Sequence, residues 1–159
     1  MGEISQNEVW SHQSLGRLIR RRLLTSDAPA MIEIASRSFP KVWKLEEFIF
    51  FVNHTASRSF GLFLEKDNQL LCYSLGLLAA GTLDLISIAT QEEYRRKGLA
   101  RDLMALYFSA KEIEEIHLEV KVGNAAAVPF YESLGFQRIG LRKKYYANKW
   151  DAIVMRRSN

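Results

Sequence analysis

The chain has 159 residues, 48% of them hydrophobic and 25% charged, with nine glycines and three prolines. That balance fits one globular domain and excludes disordered and fibrous classes. A lone cysteine, Cys72, excludes an intrachain disulfide and a thiolate zinc cluster, and the scattered His12, His54 and His117 point to no metal. The net charge of +4 and pI near 9.3 suit nucleic acid, another polyanion, or solubility alone.

Residues 1–16 show no clear period and are expected to form a loose extension before a domain over 17–159. The opening MGEISQNEVW has an acidic residue and no apolar h-region, so a cytoplasmic protein is expected. Residues 18–24, LIRRRLL, are expected as a strand closed by Thr25-Ser26-Asp27. Asp27 is the candidate N-cap of a helix starting near Ala28-Pro29, since proline is tolerated in a first turn. Met31, Ile34, Ala35 and Ser38 share one side of that helix, and Phe39-Pro40 ends it. Residues 45–52 are expected as a second, aromatic-rich helix.

Residues 59–65 alternate as a strand, and Lys66-Asp67-Asn68 is a turn between antiparallel strands. The stretch 70–90 carries a single charge, Asp84, and at about 20 residues is the length of a membrane span. Gly76, Gly81, Ser74 and Ser87 interrupt it, so it is expected to be two buried strands, 69–79 and 83–89, turning at Gly81-Thr82. Residues 97–110 are an amphipathic helix, with Leu99, Leu103, Leu106 and Tyr107 on one side. Residues 116–122 are a strand with His117, Glu119 and Lys121 facing one way. A helix over 126–134 ends at Gly135, and strands over 136–142 and 151–156 close the chain. The expected order is βααβββαβαββ, an α/β fold with a mixed sheet of about seven strands and about four helices.

Three segments carry candidate chemistry. In Arg95-Arg96-Lys97-Gly98-Leu99-Ala100, between a buried strand and a helix, glycine lets a ligand approach the backbone. Successive N–H groups at the helix start form an anion nest. Cations at a helix N-terminus oppose its dipole by ~0.3–1 kcal/mol each, so three of them there call for an offsetting anion; the plain alternative is a solvated basic turn. In NAAAVPFYESLGF, Asn124 and Tyr131 are seven apart and on a helix project to the same side. Tyr131 is either a proton donor to a ligand or a core tyrosine. Pro129 requires that the regular helix begin there or bend there. Glu119, in mid-strand, is either a general base or the partner of Lys121 in a surface ion pair.

Together these segments resemble the GCN5-related N-acetyltransferase (GNAT) superfamily, from Leu18 to Arg156. LISIATQEEYRRKGLARDLM is similar to its acetyl-CoA motif, a strand followed by a Gln/Arg-x-x-Gly-x-Gly/Ala loop, here Arg95, Gly98 and Ala100. LEVKVGNAAAVPFYESLGF follows at the family's spacing, and the end of the chain resembles the bacterial ribosomal-protein-alanine N-acetyltransferases.

By that likeness the protein uses acetyl-CoA, contacted by Ile88, Ala89, Thr90, Arg95, Arg96, Lys97, Gly98, Leu99, Ala100, Arg101, Asn124 and Tyr131. Glu119 is then the general base and Tyr131 the general acid. The acceptor is a protein N-terminus, with a ribosomal protein as the named candidate, and Tyr146 is the expected substrate contact. No membrane and no direct nucleic-acid partner is implied. Val122-Gly123 stands where those enzymes have a small residue and serine, and the loop at Ala147 to Asp151 lacks their acidic pair, which bears on specificity. A small-molecule amine acceptor, a non-catalytic acyl-CoA-binding module and a basic RNA-binding protein are the other readings.

Overall fold

The computed structural model describes residues 7–146 and 148–159. In chain order these form β1 (Asn7–His12), β2 (Gly16–Arg22), α1 (Ala28–Ser36), α2 (Leu45–Asn53), β3 (Phe60–Leu64), β4 (Leu70–Ala79) and β5 (Thr82–Thr90). Then come α3 (Leu99–Ser109), β6 (Glu115–Lys121), α4 (Ala127–Ser133), β7 (Gln137–Tyr146) and β8 (Trp150–Ser158). The described strands make one eight-stranded sheet in the order β1-β2-β3-β4-β5-β6-β8-β7. All neighbours are antiparallel except β5 and β6, which run parallel.

The extra strand is β1. Part of the segment expected to be a loose extension pairs with β2 from Asn7↔Arg21 to His12↔Gly16. An edge strand is held by main-chain hydrogen bonds, which leave no side-chain period to read. Only Trp10 of β1 packs partly against the core, under the Arg20 guanidinium. Residues 1–6 of that expected extension lie outside the described residues.

The apolar stretch 70–90 folds as the expected hairpin. Its two-residue turn lies one residue earlier than expected, at Ala80-Gly81, with Thr82 already paired to Ala79; both turn φ angles are positive, at 48° and 80°, the geometry that matches the twist of the flanking strands. Asp27 departs from its expected role. It precedes α1 but makes no side-chain cap. Its carboxylate instead accepts from the Arg21 guanidinium at 2.8 and 3.0 Å and from the Leu24 N–H at 2.8 Å. Pro129 costs nothing as a donor, because α4 begins at Ala127 and the proline falls in the first turn, where N–H groups have no intrahelical partner.

Each sheet face has its own core. α1 and α2 cover Phe63, Leu70, Tyr73, Leu75 and Ala89. α3 and α4 cover Phe60, Leu62, Cys72, Leu83, Leu85, Leu118 and Val120. Tyr107, fully buried on α3, donates to the Arg58 carbonyl and accepts from the Ser74 hydroxyl, both at 2.7 Å. Its polar atom is therefore satisfied, as burial demands. Among the described residues no helix is long and apolar enough to cross a membrane.

Candidate active site

β5 and β6 are paired only from Thr82↔Glu115 to Asp84↔His117. Beyond that point the two strands part. The cause lies on the other side of β5, where Leu75 pairs with Ser87 and Gly76 with Leu85, leaving Ile86 as an inserted residue. Such a bulge bends its strand and increases local twist. The separation opens a cleft of about 630 Å³ lined by residues 85–88 of β5 and 118–121 of β6. Among the described residues the β6-facing edge of β5 has no strand partner past Asp84, so its N–H and C=O groups there can pair with an extended, amide-bearing ligand.

The cleft passes through the sheet, and its two ends differ. Leu118 and Val120 belong to the core under α3 and α4, so alternation along β6 turns Glu119 and Lys121 toward the α1–α2 side. Tyr131 enters from α4 on the opposite side. Glu119 and Tyr131 thus line one cleft from opposite faces.

On the α3–α4 side, the segment before α3 is shaped for an anion. Arg96 has φ 62° and Gly98, the N-cap of α3, has φ 83°. A Cβ at Gly98 would meet nothing within 4 Å, so the backbone there faces open space. The first helical bond runs from the Asp102 N–H to the Gly98 carbonyl at 3.0 Å, which leaves the Leu99, Ala100 and Arg101 amides as the free donors of a helix start.

The neighbouring side chains divide their work. Arg95 donates to the Thr90 carbonyl, the Arg37 carbonyl at the end of α1 and the Ser38 hydroxyl, at 3.2–3.3 Å. It ties the loop to α1 at a helix C-terminus, where a cation is favoured. Arg101 reaches the Ser133 hydroxyl at 3.1 Å, joining α3 to α4. The Ser14 N–H donates to His12 Nδ1, so Nε2 carries the proton and donates to the Lys97 carbonyl at 2.9 Å. The edge strand β1 therefore braces this loop.

Ile88 lines the cleft, whereas Ala89 faces the α1–α2 core and Thr90 donates to Cys72 Sγ at 3.1 Å. Leu99 is a core residue. Asn124 does not share a helix face with Tyr131. It precedes α4, and its Oδ1 accepts the Ala127 N–H at 3.0 Å, but it still lines the cleft. The Tyr131 hydroxyl has no hydrogen-bond partner among the described residues, and burial pushes its phenol well above the ordinary tyrosine range. It keeps its proton at neutral pH.

On the α1–α2 side, Glu119 is paired across β8 with Arg142 of β7, whose Nη1 lies 3.1 Å from Oε1. The expected partner, Lys121, instead sits over the Trp150 ring at 4.2 Å. Tyr146 is half-buried in the cleft, and its hydroxyl donates to the Glu119 carbonyl at 3.0 Å. Burial first, then Tyr145 and Glu119, push this phenol up to about 12. Tyr145 is exposed. Strict alternation does not run through residues 142–146 of β7, because the register shifts between Arg142↔Ala152 and Tyr146↔Trp150 and Lys144 has φ 52°.

Phe39 and Trp43, from the segment between the first two helices, complete this side with Trp150. Arg142 and Trp150 have no local sequence signal for these positions. Cross-strand register and loop packing bring them in.

The described residues carry no group of three or more His, Cys, Asp or Glu side chains suited to a metal. Residues 28–136 match the model of the Acetyltransferase (GNAT) family. The chain is 32% identical over 139 residues to the [ribosomal protein bS18]-alanine N-acetyltransferase of Salmonella typhimurium, covering 84% of this chain and 92% of that one. It is 30% identical over 154 residues to an N-alpha-acetyltransferase of Saccharolobus solfataricus, covering 86% and 90%. The crystal structure of the ribosomal-protein-S18-alanine N-acetyltransferase from Escherichia coli superposes with a TM-score of 0.77 at 28% identity, covering 89% of this chain and 93% of that one. Family match, relatives and a sheet split between its two parallel strands agree, and the chain belongs to the GNAT acetyltransferase family.

Proposed function

We propose that this protein transfers the acetyl group of acetyl-CoA to the α-amine of a protein N-terminus, with the N-terminal alanine of a small-subunit ribosomal protein as the first acceptor to test. The observation that carries this reading is the entry of Glu119 and Tyr131 into one cleft from opposite sheet faces. The residues present fit the co-substrate. The free amides before and in the first turn of α3 suit its diphosphate, the open edge of β5 suits its amide-bearing arm, and Asn124 and Tyr131 border the same channel.

Acetyl-CoA supplies an activated thioester, so the protein's tasks are positioning and proton transfer. Glu119 accepts the proton that the acceptor nitrogen loses as the N–C bond forms. Arg142 holds one oxygen of the Glu119 carboxylate, and Glu119 lines the cleft. Tyr131, kept protonated by burial, donates to the sulfur as the C–S bond breaks. An α-amine has an ordinary pKa of ~7.7–8.0 against ~10.4 for lysine, a difference worth about 3 kcal/mol at the deprotonation step. One carboxylate therefore suffices for an α-amine near neutral pH.

The test uses an alanine-started peptide that also contains lysine, with acetyl-CoA, read by mass spectrometry. Modification confined to the free α-amine is expected. Equal modification after that amine is blocked would overturn the assignment.

A further inference from the structure

We infer that the acceptor of this protein carries an acidic side chain at its second or third residue, held by Lys121 and Lys149 at the outer rim of the cleft. This rests on the proposed N-terminal acetylation and narrows its substrate class.

The geometry begins with Trp150, which stands in the cleft wall across from Tyr146 at the end of the β7–β8 hairpin. Two ammonium groups converge on its indole. Lys121 Nζ lies 4.2 Å and Lys149 Nζ 5.1 Å from the ring centroid, both within cation–π range. Neither makes an ion pair among the described residues.

Neither nearby carboxylate is paired with these two lysines among the described residues. Glu119 is held by Arg142, and Asp151 Oδ1 accepts the Lys144 N–H at 2.8 Å. Lys41 also lines this cleft, and Glu119 is the one carboxylate among the residues lining it. Two like charges gathered on one exposed ring, neither with an ion-pair partner among the described residues, form a receptor for a carboxylate. The ring fixes their position without neutralising them.

Spacing then says which acceptor residue they meet. Lys121 is two residues beyond Glu119 on the same strand face, a span of roughly 6.5–7 Å at 3.2–3.4 Å per residue. An extended peptide covers that distance in about two residues. With its α-amine at Glu119, its second or third side chain lies beside Lys121. The coenzyme phosphates do not compete for this site, since the anion nest before α3 lies on the opposite face of the sheet.

The experiment compares three alanine-started peptides identical except at residues 2 and 3, which are Glu-Glu, Gln-Gln or Lys-Lys. Exposed ion pairs are individually weak, so the acidic peptide should exceed the neutral one in kcat/KM by roughly 3–10-fold, mainly through KM. The basic peptide should fall below both. High salt should compress the series.

Lys121→Glu with Lys149→Glu should reverse the order, and Lys121→Gln with Lys149→Gln should flatten it, with the KM for acetyl-CoA little changed in either. Moving the two glutamates to residues 7 and 8 should remove the advantage. Equal kcat/KM for the three peptides on the wild-type protein would overturn the inference while leaving N-terminal acetylation intact. Acetylation of none of the three would instead overturn the reading on which it rests.

Discussion

The Tyr146 hydroxyl donates to the main-chain carbonyl of Glu119 at 3.0 Å, so the far end of β7 is fastened over the stretch of β6 that carries the proposed base. This bond links one wall of the cleft to the strand that carries the proposed base. Tyr146→Phe removes it while keeping the ring, a loss of about 0.5–1.5 kcal/mol. Tyr146→Ala also removes the wall. The KM for an alanine-started peptide should rise modestly for the first and by about tenfold or more for the second. Steady-state kinetics should show the KM for acetyl-CoA nearly unchanged in both. A rise in the acetyl-CoA constant alone would move Tyr146 to the coenzyme side.

Saturating acetyl-CoA should raise the melting temperature, since at 100 times its dissociation constant a ligand adds about 2.7 kcal/mol. Gly98→Glu should abolish that shift. The glycine sits at φ 83° facing open space, where a side chain is strained and a carboxylate would stand in the anion nest. Differential scanning fluorimetry with and without acetyl-CoA checks this, and an unchanged wild-type melting temperature would contradict it.

Tyr131→Phe should lower turnover by roughly 10²–10⁴-fold, as loss of a general acid does, with acetyl-CoA binding by calorimetry little affected. Glu119→Gln should cost more rate at pH 6 than at pH 9, because the α-amine is mostly protonated at the lower value and needs a base. Equal losses at both values would assign Glu119 a holding role instead.

Burial raises the Cys72 thiol and the Tyr73 phenol to about 12, as it does Tyr146, and it raises Tyr107 and Tyr131 in the same direction. The unfolded chain therefore ionises first, near 9.0 for the thiol and 10.0 for the phenols. The stability these groups contribute is full below about pH 9 and is lost as pH rises toward 12. Thermal melts across that range should fall steadily, with Cys72 unreactive to alkylating agents in the folded protein at neutral pH. A melting temperature flat to pH 11 would contradict the linkage.

Local pattern determined much of this protein. The alternation of HLEVKV, the heptad-like apolar positions of 97–110 and the presence of a hairpin turn around Gly81 are properties of neighbouring residues, and each is readable from the order of side chains alone. So are Gly98 and the basic run before it. Only the tertiary structure decided where β1 goes, why the sheet splits, and which charges meet. β1 is held by main-chain bonds that leave no side-chain trace. The cleft exists because one inserted residue, Ile86, bends β5 away from β6. Glu119 meets Arg142, 23 positions later in the chain, and Lys121 meets Trp150. These contacts depend on strand order and register, which are set by the packing of the whole sheet against its two helical layers.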